Sequence, residues 1–270
     1  MSTLIETLDT PNRPGLSLQS LERCVPAAFA THAFDRTGPK YAFISTRELL
    51  EALLSAGFYP ADARQRWSRG DRRGYARHMI RFRHESGSVQ IVDCMPEVIL
   101  INSHDSSSSY QLRGGLYRFV CCNGLIISLS EFGSISVPHR GNVIAEVVDG
   151  ALKITRQFEG IGQTIEQMAR TELHLQQQRE LAQQALAVRY KGRETFPFDA
   201  EKLLVARRHE DAGNTLWAIY NRIQEHLIQG GIEGRSAHGR KSTSRKIGAI
   251  PEDIRINLEL WQLAMSLIKP

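Results

Sequence analysis

The apolar residues of this chain change their spacing once, and that change constrains the fold more than any single motif. Up to Pro138 they come as short alternating or continuous runs bounded by glycine and polar clusters. Beyond it Val143, Val147, Ala151, Ile154, Phe158, Ile161, Ile165 and Met168 recur by threes and fours. A period near two places side chains on the faces of a strand, and a period near 3.6 builds one stripe along a helix. Strands grouped first and helices second predict an α+β fold, not alternating βαβ units. The expectation is an antiparallel sheet carrying a basic β-hairpin in the N-terminal half, with a helical C-terminal half packed on it. Residues 1–15, with two prolines and few periodic apolar positions, read as a flexible tail. Residues 16–140 read as the sheet domain and 141–270 as the helical region, with a mobile basic loop at 229–248.

Local signals fill in this outline. Leu16, Leu18, Leu21 and Val25 predict a short helix interrupted near Pro26. Tyr41 to Ile44 reads as a strand. Ser45 with Glu48 is a capping box opening a helix that stops at Gly57. Phe58–Ser68 and Tyr75–His84 flank Gly70-Asp71-Arg72-Arg73-Gly74 as the two arms of a hairpin. Glu97–Asn102 is apolar on both faces and reads as a central strand. Asn123-Gly124 is a hairpin signal between Leu116–Cys122 and Leu125–Leu129. Gly150, Gly160 and Gly162 predict a break in the long helical seam. Asp211 or Asn214 is the expected cap of the helix carrying Trp217.

Charge is distributed unevenly. The formal net charge is only +5. Residues 61–85 hold Arg64, Arg66, Arg69, Arg72, Arg73, Arg77, Arg81 and Arg83 against Asp62, Asp71 and Glu85, a surplus equal to that of the whole chain. Strand alternation puts Arg77, Met79, Arg81 and Arg83 on one face and Ala76, His78, Ile80 and Phe82 on the other. Guanidinium groups suit phosphate, and Trp67 and Tyr75 add flat surfaces on which bases stack. The plainer account is an edge strand kept soluble by charge. A second basic segment holds Arg235, Arg240, Lys241, Arg245 and Lys246 against Glu233 alone, between glycines and serines that suit ordering on an anion. Arg140, before the helical seam, is placed either to meet a phosphate or to pair with Glu146.

Chemistry-bearing motifs are sparse. Asn102-Ser103-His104-Asp105 follows the central strand, and His104 with Asp105 would be the base and orienter of a hydrolase. Neighbouring residues rarely form such a dyad, and no G-x-S-x-G elbow is present, so a polar turn is the expected role. Cys121-Cys122 sits in an apolar run and reads as two small hydrophobes. Cys24, Cys94, Cys121 and Cys122 lack C-x-x-C spacing, so neither a metal nor a cofactor is expected. With no run of 18 apolar residues and no secretory leader pattern in Met1–Arg13, a cytoplasmic, non-membrane location is expected.

Several stretches carry a family resemblance: VILINSHD (98–105), SYQ (109–111), GLYRFVCCNGL (115–125), VPHRGN (137–142), Leu216-Trp217 and YNRIQEHLIQGG (220–231). They resemble a prophage- and plasmid-borne family catalogued as domain of unknown function 932, the YfjQ/YafZ-like proteins. The resemblance spans nearly the whole chain and implies a mobile-element setting. It assigns no activity and no catalytic residue. The expectation that joins these readings is a nucleic-acid-binding protein without catalysis, handling or annealing single-stranded DNA and able to self-associate, similar at fold level to the ring-forming Rad52-type annealing proteins. The alternative is a counter-defence or regulatory protein docking on a host or phage protein. A hydrolase built on His104 and Asp105 ranks third.

Overall fold

A computed structural model describes residues 15–38, 41–85, 91–121, 123–127, 134–137, 142–193, 195–235 and 239–268. Helix α1 (Leu18–Cys24) is stopped before Pro26, which opens a 3-10 turn at Pro26–Phe29. Helix α2 (Thr46–Ser55) is capped by Ser45, whose hydroxyl accepts from the Glu48 amide, and the chain turns at Gly57 with φ 83°. The strands β1 (Phe58–Gln65), β2 (His78–His84), β3 (Cys94–Asn102), β4 (Tyr110–Arg118) and β5 (Asn123–Ile127) pair antiparallel in chain order. A short β6 (Ile135–Val137) adds to β4. Beyond it lie α3 (Val143–Arg156), α4 (Phe158–Arg170), α5 (Leu175–Arg189), α6 (Leu216–Gln229) and α7 (Ile250–Met265). The architecture is the expected α+β one, sheet first and helices after.

Alternation sorts the sheet's side chains into two packed faces. Phe58, Ile80, Phe82, Val98, Leu100, Leu112, Leu116 and Leu125 belong to the main core with the apolar stripes of α2, α3, α5 and α6. The opposite face puts Met79, Ile99, Ile101 and Ile126 against Ile250, Ile254 and Leu258 of α7. β3 is therefore covered on both sides, which is why it reads as a continuous apolar run. A chain of amides fastens α7 to this second face. Asn257 donates to Asp253 and accepts from Gln224, and its carbonyl oxygen also meets the Ile126 amide at 3.4 Å.

Several local expectations are corrected. Tyr41–Ile44 is not a strand; its backbone serves side chains, the Ile44 carbonyl accepting from the Tyr110 hydroxyl at 3.0 Å. Asn123-Gly124 is not the β4–β5 turn but the start of β5, paired with Arg118 and Tyr117. Gly124 is needed there for close approach, since a Cβ would fall 2.6 Å from the Arg81 guanidinium carbon. The helical seam breaks at Gln157, between α3 and α4, while Gly150 sits where a Cβ would lie 2.8 Å from Leu112. Thr215, not Asp211 or Asn214, caps α6, because Asp211 is taken up by Arg118 and Arg208.

The segment expected as a mobile loop at 229–248 contains a two-stranded ribbon, β7 (Glu233–Arg235) with β8 (Lys241–Thr243). Buried Ile232 and a backbone bond from Arg235 to the Pro197 carbonyl (2.7 Å) hold it to the helical body. Gly234 permits that approach: a Cβ there would meet the same carbonyl at 2.0 Å.

Candidate nucleic-acid interface

The β1–β2 connection is longer than a tight hairpin, running from Arg66 to Arg77 with a 3-10 turn at Gly70–Tyr75. Its base is fixed. The Arg66 amide donates to the Arg77 carbonyl at 2.8 Å, the Gln65 side chain donates to the Arg73 carbonyl at 2.6 Å, and the His104 amide donates to the Tyr75 carbonyl at 3.0 Å. The Tyr75 hydroxyl bonds His32 Nε2 at 2.6 Å, and its ring packs on Phe34. The tip is open. Arg66, Arg69, Arg72 and Arg73 are exposed and make no ion pair with a described residue. Trp67 is 76% exposed, with the Arg69 guanidinium 5.5 Å from its ring, and Arg72 lies 5.6 Å from the Phe34 ring.

The strand arginines behave differently, and the expected row of guanidinium groups on one ribbon is corrected. Arg81 is buried and donates to Glu97 at 2.9 Å, and Arg83 donates to the other oxygen of Glu97 at 3.1 Å. Arg83 also lies 4.6 Å from the Tyr117 ring. Arg64 is bound to Asp253 in the first turn of α7. Arg77, half-buried, donates to the Ser107 carbonyl. The cause is α7 and the neighbouring strands: the face carrying these residues is an interior one, so each charge needs a partner inside the protein. The β1–β2 arginines that stay free for an external anion are those of the loop.

In the second basic segment Arg235, Arg240, Lys241, Arg245 and Lys246 are all exposed. Arg240 and Lys241 sit where the second strand of the ribbon begins, and Arg245 and Lys246 follow it into α7. Arg64 reaches Asp253 of the same helix, so both basic segments are anchored near one helix start.

A family model described as domain of unknown function (DUF932) matches residues 33–261. The chain belongs to the DUF932 family. Among its relatives, the UPF0380 protein YafZ of Escherichia coli strain K12 is 39% identical over 95% of this chain and 93% of its own length. The UPF0380 protein YfjQ of the same strain is 38% identical over the same shares. No solved structure matches the chain. The DUF932 match includes the β1–β2 loop, the ribbon and most of α7, and leaves out α1.

The other candidates resolve into structural roles or fall outside the described residues. His104 is buried, with Nε2 2.9 Å from the Thr46 hydroxyl and its ring against Phe43 and His78. Asp105 does not orient it; its carboxylate accepts the Ser107 amide at 3.0 Å and closes the turn that Ser106 enters with φ 59°. The base–orienter pair is therefore not formed. Burial pushes the Cys121 thiol up, away from thiolate character. Cys122 and Arg140 lie outside the described residues. Among the described residues no helix is long and apolar enough to cross a membrane.

Sequence reasoning missed one basic cluster. Arg189, Lys191 and Arg193 stand at the end of α5, beside the ribbon, where Arg189 donates to the Arg245 carbonyl at 2.6 Å. The signal was the run Arg189-Tyr-Lys-Gly-Arg193, divided between a helix end and a loop.

Proposed function

We propose that this DUF932 protein binds nucleic acid, single strands foremost, and that it acts by holding and pairing strands without covalent chemistry. The observation that carries this reading is the open tip of the β1–β2 loop, where Arg66, Arg69, Arg72 and Arg73 are exposed without an ion pair among the described residues and Trp67 is 76% exposed beside Arg69. An exposed tryptophan forgoes the apolar contact that a packed core would supply, and a stacked base restores it. Each base stacked on an aromatic ring contributes roughly 1–3 kcal/mol irrespective of sequence. Arg66, Arg69, Arg72 and Arg73 would neutralise successive phosphates while Trp67 holds a base out of its stack. The ribbon, with Arg235, Arg240, Lys241, Arg245 and Lys246, would take the backbone farther along. Annealing of two strands, self-association and an origin in a mobile element belong to the same proposal. An acidic protein surface would also meet the arginines, but it offers Trp67 no base to stack.

The test is a mixed-sequence single-stranded oligonucleotide titrated at low salt against the folded chain. Binding is expected, weakening with salt. Absence of binding at low salt rejects the reading, and equal binding by a variant with Arg66, Arg69, Arg72 and Arg73 all changed to alanine moves the interface elsewhere. Light scattering with and without the oligonucleotide reads self-association.

A further inference from the structure

The end of α5 and the first turn of α7 border a cavity of about 440 Å³, widely open to solvent and lined by Arg189, Tyr190, Lys191, Arg193, Glu252 and Arg255. Four cations face it against one carboxylate. Arg255 is already committed, with Nε 3.0 Å from Glu252, Nη1 3.0 Å from Glu259 and Nη2 2.9 Å from the Val188 carbonyl. It forms the floor with Glu252, the one carboxylate of the lining. The walls are not neutralised. Lys191 and Arg193 are exposed and make no ion pair with a described residue. Arg189 uses Nη2 on the Arg245 carbonyl, and its Nη1, closed off from solvent, has no acceptor among the described residues.

The cluster is held in place. Tyr190 sits between the arginines, 5.5 Å from the Arg189 guanidinium carbon and 5.6 Å from that of Arg193. Its ring is fixed in turn by Phe198, edge-on at 6.0 Å, and by Phe196. Gly192, at φ 79°, makes the turn that brings Lys191 and Arg193 round after the helix ends. The first turn of α7 adds its positive dipole end. The field reaches Glu252, whose carboxyl is held below its usual range first by Arg255, with Arg189 and Lys191 contributing.

We propose that this cavity is a binding site for a phosphate monoester. Cations on three separate residues of its lining, Arg189, Lys191 and Arg193, suit a dianion better than a carboxylate, which one arginine fork satisfies. The volume lies in the range of small-ligand sites, about 300–1,000 Å³, and exceeds what a bare phosphate fills. The cleft therefore has room for a phosphate carried on a sugar or similar group, either as a free nucleotide or as the 5′-phosphate of a strand end. The inference does not rest on the β1–β2 loop, which shares no residue with this cavity.

Titration calorimetry of the full chain with thymidine 5′-monophosphate and with thymidine tests it. The monophosphate is expected to bind and thymidine not to. A Lys191→Gln, Arg193→Gln double variant, changed only at exposed positions, is expected to weaken that binding about tenfold or more. A ten-residue thymidine oligomer with and without a 5′-phosphate separates the sources: tighter binding of the phosphorylated oligomer assigns the strand end, and a response confined to the mononucleotide assigns a free nucleotide. An Arg66→Ala, Arg69→Ala variant should weaken the oligomers and leave the mononucleotide unchanged. If neither oligomer binds while the mononucleotide does, the reading of the loop fails and the cavity stands. No binding of the monophosphate at low salt, or binding that Lys191→Gln with Arg193→Gln leaves unaltered, overturns the inference.

Discussion

Arg64, Arg81 and Arg83 lie on the two strands of one hairpin, and Arg66, Arg69, Arg72 and Arg73 lie on the loop that joins them. The strand set is absorbed by Asp253 and Glu97, while the loop set has no carboxylate partner among the described residues. The sequence distance between a structural arginine and a free one is as short as two residues. What separates them is the surface behind. Where the sheet face is roofed by α7 and flanked by β3, a guanidinium must bring or find its counter-charge, and Glu97 sits on β3 where it serves two at once. Past the last ladder pair, Gln65↔His78, the side chains of Arg66, Arg69, Arg72 and Arg73 are exposed and no such requirement applies. Arginine density along a sequence is thus a poor measure of a binding surface until the buried carboxylates have been subtracted.

The sharpest way to break this comparison is to substitute across it. Arg81 is 5% exposed and Glu97 is fully buried. Removing one partner of a buried, hydrogen-bonded pair typically costs about 3–5 kcal/mol because the other charge is left alone. Arg81→Ala is therefore expected to lower unfolding free energy by about that amount in a urea titration, with Arg83→Ala costing less because Arg81 still holds Glu97. If Arg81→Ala leaves the midpoint unchanged, the strand arginines are not structural and the division drawn here collapses.

Period alone made the fold class legible: Ile80, Phe82 and Leu100 alternate, Val143 to Met168 repeat by helical turns, and the sheet and helices form accordingly. Period also placed Arg81 and Arg83 on a common face. It did not say that the face is interior, because the helix that covers it, α7, lies more than 160 residues farther along the chain. Glu97 was visible, but as the first residue of an apolar run, and nothing local pairs it with position 81. Gly124 misled for a related reason: an Asn-Gly pair signals a turn by its own backbone freedom, whereas here the missing Cβ accommodates a side chain from another strand. The ribbon within 229–248 was illegible because its strands have three residues each and its hold depends on Pro197. The exposure of Trp67 and of the loop arginines was legible because it requires no distant partner.

His78 stands at the boundary between the two sets, opening β2 directly beneath the loop. It is fully buried, its Nδ1 meets the Ala76 carbonyl at 3.2 Å, and its Nε2 has no hydrogen-bond partner among the described residues. Desolvation lowers its pKa from 6.5 to about 4. The folded protein therefore holds it neutral while the unfolded chain takes up a proton as pH falls through 6.5. Its contribution to stability is fully present above about pH 7, declines between pH 6.5 and pH 4, and amounts to about 3 kcal/mol lost by pH 4. A His78→Asn variant, keeping a donor for the Ala76 carbonyl, should show a shallower fall in stability over that window. Identical slopes for the two proteins would mean that the base of the loop is not closed to a charged imidazole.

Stacking comes next in size. Trp67→Ala is expected to weaken single-strand binding by about 1–3 kcal/mol, while Trp67→Phe retains most of it. Neither change should alter thermal stability, since the ring is mostly in solvent. If the alanine variant binds as the parent does, the loop meets nucleic acid through charge alone, and a preference for single strands loses its support.

The smallest effect is the most discriminating. Arg69→Ala removes a loop arginine with no ion pair among the described residues, so its effect on unfolding free energy should stay within about 0.5 kcal/mol, in contrast to Arg81→Ala. Its effect on binding should appear mainly as a change in salt dependence. Each phosphate neutralised on a single strand contributes about 0.7 to the slope of log affinity against log salt, so the variant's slope should be shallower by about that amount. Paired measurements on Arg69→Ala and Arg83→Ala then separate the two classes along independent axes. The loop substitution moves the salt slope and leaves the unfolding midpoint, and the strand substitution does the reverse. A strand variant that flattens the slope while remaining fully folded would show that the sheet face opens to the ligand, and the boundary between structural and binding arginines would have to be redrawn at α7.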